Sequence, residues 1–192
     1  MDVAELQRQV EYKFAPEPLL AIQALANTYD FDEDEERLLD PDSTRTWLVE
    51  SGLAQPGVTV DRREYDELLD FRGVIRDLLD ANLHAEHTPD AEALARIAGA
   101  HPVPVAVDDA GALGLDLEPP ASVGGVIAQM LGIVLEAQTR GEWPRLKICA
   151  ADDCRWAFYD SSKNRGGTWC RMEECGNRIK NRRYRDRQSA RD

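Results

Sequence analysis

The four cysteines of this chain lie close together, as Cys149-x4-Cys154 and Cys170-x4-Cys175 with fifteen residues between the pairs. That spacing constrains the fold more than any other feature. Zinc in a structural site takes four tetrahedral thiolates, and two tight turns can supply two ligands each. Cysteines this close in a reducing cytosol are better read as metal ligands than as disulfide partners. Two disulfides or an iron–sulfur cluster are the alternatives. Four thiolates leave no open position for a water molecule, so the expected ion is one structural Zn²⁺ and not a catalytic one. Between the pairs, RWAFYD places Trp156 and Phe158 on one face, SSKNRGG reads as a turn, and Trp169 returns to Cys170. The expectation is a hairpin between the pairs, then a helix whose first turn carries a ligand, in a treble-clef-like order. A thiolate there is favoured by the helix dipole. Trp156, Phe158, Tyr159 and Trp169 are read as the small core of a module that needs metal to fold, in preference to stacking platforms for bases.

Charge divides the chain at about the same place. The net charge is −13, but residues 143–192 hold 13 Lys/Arg against 7 Asp/Glu, while residues 1–142 hold 10 against 29. Such asymmetry points to two jobs. A wholly acidic protein is a poor nucleic-acid binder, whereas a basic segment is suited to phosphates; the acidic part can equally serve solubility alone. No run approaches the roughly 20 apolar residues of a membrane span. The opening MDVAELQRQVEYKF lacks the layout of a signal peptide. A cytoplasmic protein with no membrane partner is expected.

Residues 1–142 read as mainly helical. LLAIQALANTY after Pro18 has Leu19, Ile22, Leu25 and Ala26 at helical spacing. FDEDEERLLD reads as a solvated connector or helix start, followed by a short helix capped by Asp42 or Ser43 and stopped by Gly52. The longest helical signal follows a possible Asp61 cap, with Tyr65, Leu68, Leu69, Val74, Ile75, Leu78, Leu79 and Leu83 at threes and fours. PDAEALARIAGA fits another short helix. Val103, Val105 and Val107 alternate before the turn DDAG, and Leu113, Leu115 and Leu117 alternate after it, which predicts a hairpin. ASVGGVIAQMLGIVLEAQTRG reads as a central helix ending near Gly141, and Trp143-Pro144 leads into the basic part. The fold class is α+β: a helical domain with one β-hairpin over 1–142, then a treble-clef-like zinc finger with a basic terminal helix over 143–192.

From Arg178 to Arg191 there are seven basic residues and one acid. On a helix, Arg178, Arg182 and Arg185 share a face, with Arg183 and Arg187 extending the charge and Lys180 adding to it. Only Ile179 and Tyr184 suit packing inward. Arginine forks bind phosphate oxygens, and counterion release supplies affinity without sequence readout. Those six residues are the candidate nucleic-acid contacts. Arg178 also suits a second role, offsetting the −2 charge of a tetrathiolate zinc. The competing reading is a helix that docks on an acidic protein surface, including the chain's own.

The segment CAADDCRWAFYDSSKNRGGTWCRMEECGNRIKNRRYRDR resembles the CGNR zinc-finger family, whose signature elements stand here as Trp169, Cys170, Cys175, Gly176, Asn177 and Arg178. Lys163 stands where the family commonly has arginine, and Gly166-Gly167-Thr168 replaces a more polar stretch. In that family an ABATE domain precedes the finger, and the order of elements over residues 1–142 is similar. The resemblance implies a bacterial stress-induced transcription regulator, not an enzyme, that binds DNA through the finger. Regulators commonly join a sensor to a DNA reader, so Asn27, Arg72 and Arg76 are candidates to line a small-molecule effector pocket; the alternative is a helix C-cap and two surface charges. A homodimer fits the same picture. So does an acidic half that restrains the basic helix. His84 and His87 are spaced to share a metal but lack a third ligand, and no catalytic triad can be nominated. The alternative function is a zinc-stabilised protein-interaction module without nucleic acid.

Overall fold

A computed structural model describes residues 1–189, apart from the side chains of Arg183, Tyr184, Asp186, Arg187 and Ser189. Helix α1 (Val3–Val10) starts on an Asp2 cap and buries Leu6 and Val10. It packs on α2 (Leu20–Ala26), every residue of which is buried. Such an all-round apolar helix belongs inside a protein. Helix α3 (Pro41–Glu50) begins at Asp40, whose carboxylate accepts from the Ser43 N–H at 2.8 Å. The cap therefore lies two residues earlier than Asp42, because Pro41 suits the first helical turn and Asp40 then faces the open N–H groups.

Helix α4 (Arg62–Leu83) is the long helix, opened by the Asp61–Glu64 capping box. It buries Tyr65, Leu68, Phe71, Ile75 and Leu79 and packs against α2, α3, the short α5 (Ala91–Ala100) and α6 (Val123–Thr139). Helix α6 is buried on most of its circumference, as its apolar sequence requires. The acidic run that reads as a connector or helix start is instead a small hairpin, β1 (Tyr29–Asp30) with β2 (Glu35–Glu36). Asp30 fixes its turn by accepting from the N–H of Asp32 at 2.9 Å. A polar side chain bonding its own turn beats a helix that would have to crowd five carboxylates together.

The predicted Val/Leu hairpin is present as β3 (Val105–Val107) with β4 (Leu113–Leu115). Its base packs on α6 at Gly132, where a Cβ would stand 2.6 Å from Leu115 Cδ2. Beyond that contact the ribbon is exposed, with Val105 61% and Leu113 75% accessible.

A single 3₁₀ turn at Trp143–Arg145 leads into β5 (Leu146–Ile148), which pairs antiparallel with β6 (Ala157–Tyr159). A π turn (Met172–Gly176) then opens the last helix, α7 (Asn177–Ser189). The hairpin of the finger thus encloses the first cysteine pair, where the sequence suggested a hairpin between the two pairs. Ladder bonds decide this: Leu146 faces Tyr159, while the returning segment contributes a bond from Ala150 N–H to the Thr168 carbonyl at 2.9 Å. Trp143, Leu146, Ile148 and Ala157 belong to the main core together with α2, α4 and α6. A second buried cluster holds the four cysteines with Ala151, Trp156 and Phe158. The change of charge near residue 142 is therefore no break in packing.

Candidate metal centre and basic helix

Cys149 directly follows β5 and Cys154 closes the knuckle that comes next. The knuckle is set by the N–H groups of Cys154 and Arg155 on the Ala151 carbonyl, with Arg155 in the left-handed region (φ 49°). Cys170 comes after the return segment and Cys175 sits in the π turn before α7. All four are buried, and their sulfurs lie within 4.8 Å of one another. Cys170 Sγ is 3.6 Å from both Cys154 Sγ and Cys175 Sγ. A disulfide needs about 2.05 Å. These thiols are unpaired, and four sulfurs converging on one point are a donor set for a soft cation. Among the described residues this is the one group of three or more potential ligands so arranged. His84 and His87 do not join another: His87 Nε2 lies 2.6 Å from Asp77 Oδ1.

Hydrogen bonds among the sulfurs separate the thiols. Donation from Cys154 and Cys170 pulls the Cys149 thiol down to about 2, whereas bonding to Cys149 pushes Cys154 up and Cys170 up to about 12. Burial raises Cys175. A bound cation would take the place of the protons that these thiols share.

The loop from 160 to 168 is built on a buried ion pair. Lys147 Nζ donates to Asp160 Oδ2 at 2.9 Å and to the carbonyls of Arg165 at 2.6 Å and Gly167 at 3.2 Å. The Asp160 carboxylate also accepts from the Ser162 and Gly167 N–H groups at 3.0 and 2.7 Å. A Cβ on Gly167 would lie 2.8 Å from that carboxyl carbon, so glycine is what allows the close approach. The sequence suggested Lys147, with Arg155 and Arg171, as a charge to offset the metal site, but not its pairing with Asp160. The one available hint was an aspartate directly before Ser-Ser, a turn signal.

Asn27, Arg72 and Arg76 each have protein partners in the structure. Asn27 closes α2, as the C-cap alternative had it. Its amide also pairs with Ala157 of β6 in both directions, accepting from the N–H at 2.7 Å and donating to the carbonyl at 2.9 Å. Arg72 forks onto Glu36 with two 2.7 Å bonds and donates to Thr28 Oγ1 at 2.8 Å. Arg76, also buried, donates to the carbonyls of Ala26 and Arg155, the latter at 2.7 Å, and lies over the Phe31 ring. Desolvation, more than the neighbouring arginines, lowers its pKa to about 10. Backbone groups that need partners at the junction of two elements recruit these side chains.

Helix α7 is polar on all sides, with Ile179 packed on the metal cluster. Lys180, Arg182 and Arg185 are exposed, and Lys180 lies 5.7 Å above the Trp169 ring. Arg178, exposed as well, also has the second role open to it beside the sulfurs. It donates to Asp153 at 3.0 Å and to Asp32 at 3.3 Å, and its Nη2 is 3.8 Å from Cys175 Sγ. Its place one turn from a ligand puts it beside the charge of the sulfurs. The Arg183 and Arg187 side chains lie outside the described residues.

The family model for ABATE, described as "Putative stress-induced transcription regulator", matches residues 21–137. The chain belongs to the ABATE family. A second model, the CGNR zinc finger, matches residues 145–188 and so takes in the four cysteines, the knuckle and most of α7. No curated protein matches the chain. ABATE and finger meet within one packed core, since Asn27 and Arg76 of the first hold Ala157 and Arg155 of the second. No helix among the described residues is long and apolar enough to cross a membrane.

Proposed function

We propose that this ABATE protein is a cytoplasmic, DNA-binding transcription regulator and not an enzyme, whose finger holds one structural Zn²⁺ and whose helix α7 meets the phosphates. The zinc assignment rests on the sulfur geometry. A tetrahedron with Zn–S of about 2.3 Å has S···S edges of about 3.8 Å, and two of the sulfur pairs stand at 3.6 Å. Bound there, the ion would cross-link knuckle, return segment and helix start.

The observation that carries the DNA reading is the exposed, cationic surface of α7, fixed at its base by Cys175 and Ile179. A helix with this little apolar surface gains almost nothing from packing, while Lys180, Arg182 and Arg185 suit a phosphate backbone. Changing these three to Gln together should remove most affinity for duplex DNA and flatten the salt dependence by roughly two to three units in log–log slope. Zinc content should be unchanged. Wild-type affinity and slope in that variant would sink the reading.

The alternative, a protein-interaction module, has one observation in its favour: the exposed apolar ribbon β3–β4, which also suits a homodimer. An apolar interface predicts a shallow salt dependence, phosphate contacts a steep one.

A further inference from the structure

The strap joining α1 to α2 precedes the residues that either family model matches, yet it forms one wall of the metal cluster. The Val10 carbonyl accepts from the Trp156 indole at 3.3 Å. Lys13 Nζ donates to the Trp169 carbonyl at 2.8 Å, and the Lys13 carbonyl accepts from the Tyr159 N–H at 2.9 Å. Between them, the Tyr12 hydroxyl stands 3.7 Å from Cys170 Sγ, within reach of an O–H···S bond. Arg171, the residue after that ligand, stacks its guanidinium 4.6 Å from the Tyr12 ring centre. A polar cavity of about 210 Å³ reaches Cys154 and Cys175 from this side, with Tyr12 and Arg171 on its wall and Asp30 and Asp32 among its carboxylates.

We propose that residues 11–15 are a latch on the metal: Tyr12 donates to the Cys170 thiolate, and together with Arg171 it closes the approach to the sulfurs. The proposal rests on the zinc reading above. A tetrathiolate zinc carries two negative charges, which a hydroxyl donor and a nearby guanidinium both offset. Loss of such an outer partner commonly costs about 10–100-fold in metal affinity. A competing chelator reaches the ion only when local structure opens. The strap is suited to be the part that opens, because Lys13 and Phe14 are exposed and the strap itself lies in no helix or strand. Departure of the strap removes a donor and widens the cavity in one movement, so the N-terminal segment sets how long the finger keeps its ion.

The test uses the full chain and begins with its zinc content. No metal in the wild type would overturn the centre itself, and the latch with it. With one zinc present, transfer to an excess of a chromophoric chelator is timed, and the sulfur-to-metal charge-transfer band is recorded after Co²⁺ substitution. Tyr12→Phe keeps the ring against Trp156 and Arg171 and removes only the donor. It should speed transfer by roughly ten-fold and move the band to lower energy, since an unbonded thiolate gives up charge more easily. Tyr12→Ala should be faster again, with the thermal unfolding of the helical core unchanged. Equal rates in all three proteins would overturn the latch. Faster transfer in Tyr12→Phe with an unmoved band would overturn the hydrogen bond, and a moved band with unchanged rate would overturn the gating role.

Discussion

Lys147 and Asp160 form a fully buried ion pair, with side-chain exposures of 6% and 4%. Burial alone would push the Asp160 carboxyl up. Donors from Ser162, Lys147 and Gly167 outweigh it and hold the carboxyl well below the usual range. A depressed carboxylate pKa contributes stability that is complete above the unfolded value of about 3.9 and is lost as pH falls below it. Asp160→Asn strands the Lys147 ammonium without its counter-charge, which costs about 3–5 kcal/mol when a buried pair is broken. Denaturant unfolding at pH 7 should show that loss, and the gap from wild type should narrow below about pH 4, where the native carboxylate gives up its advantage. The same contacts make the loop at 160–168 a fixed platform: Lys147 takes two of its carbonyls, so the variant should also raise amide exchange there.

At the scale of elements, the hairpin β1–β2 and helix α7 carry opposite charge and meet where Arg178 pairs with Asp32. Lys180 and Arg182, further along α7, are exposed. On the proposed DNA reading, Asp32 would oppose an incoming phosphate at the root of the helix and compete for Arg178. Asp32→Asn with Glu33→Gln should tighten DNA binding several-fold at low salt. The gain should fade as ionic strength rises and the Debye length shrinks to about 8 Å at 0.15 M. A titration of the full chain at two salt concentrations checks both parts.

The described residues of the molecule form two buried clusters, and the four tryptophans divide between them. Trp47 and Trp143 sit in the main core, Trp156 and Trp169 beside the sulfurs. Metal removal by a strong chelator should therefore abolish the near-ultraviolet signal of the second pair and leave most far-ultraviolet helicity in place. Strands β5 and β6 should partly survive, because Leu146, Ile148 and Ala157 are held by the main core. The converse experiment separates the halves. A fragment of residues 143–192 lacks Val10, Tyr12, Lys13, Asn27 and Arg76, each of which bonds the finger's backbone, the Trp156 indole or a ligand sulfur. It should bind zinc more weakly than the full chain, by at least about ten-fold, in a competition titration.

Local rules made much of this legible in the sequence. The cysteine spacing named the four sulfurs that converge; Asp61 marked the start of α4; alternation around DDAG placed β3 and β4. Each signal acts over a few residues, through ligand geometry, capping or side-chain period. The hairpin at 29–36 was missed because a turn bond from Asp30 outweighed a run of charges that carries no period. What only the tertiary structure decided is which distant groups meet. Tyr12 lies 158 residues from Cys170, and Asn27 lies 130 from Ala157. No periodicity links such positions. Their pairing follows from α2 and α4 being packed against the finger's hairpin, where buried backbone groups must find partners or cost about 1–3 kcal/mol each. The sequence by itself specified a metal module and a basic helix. Tertiary packing set Arg178 beside the sulfurs, made Asn27 and Arg76 a joint between helices and finger, and bound the N-terminal strap to the finger.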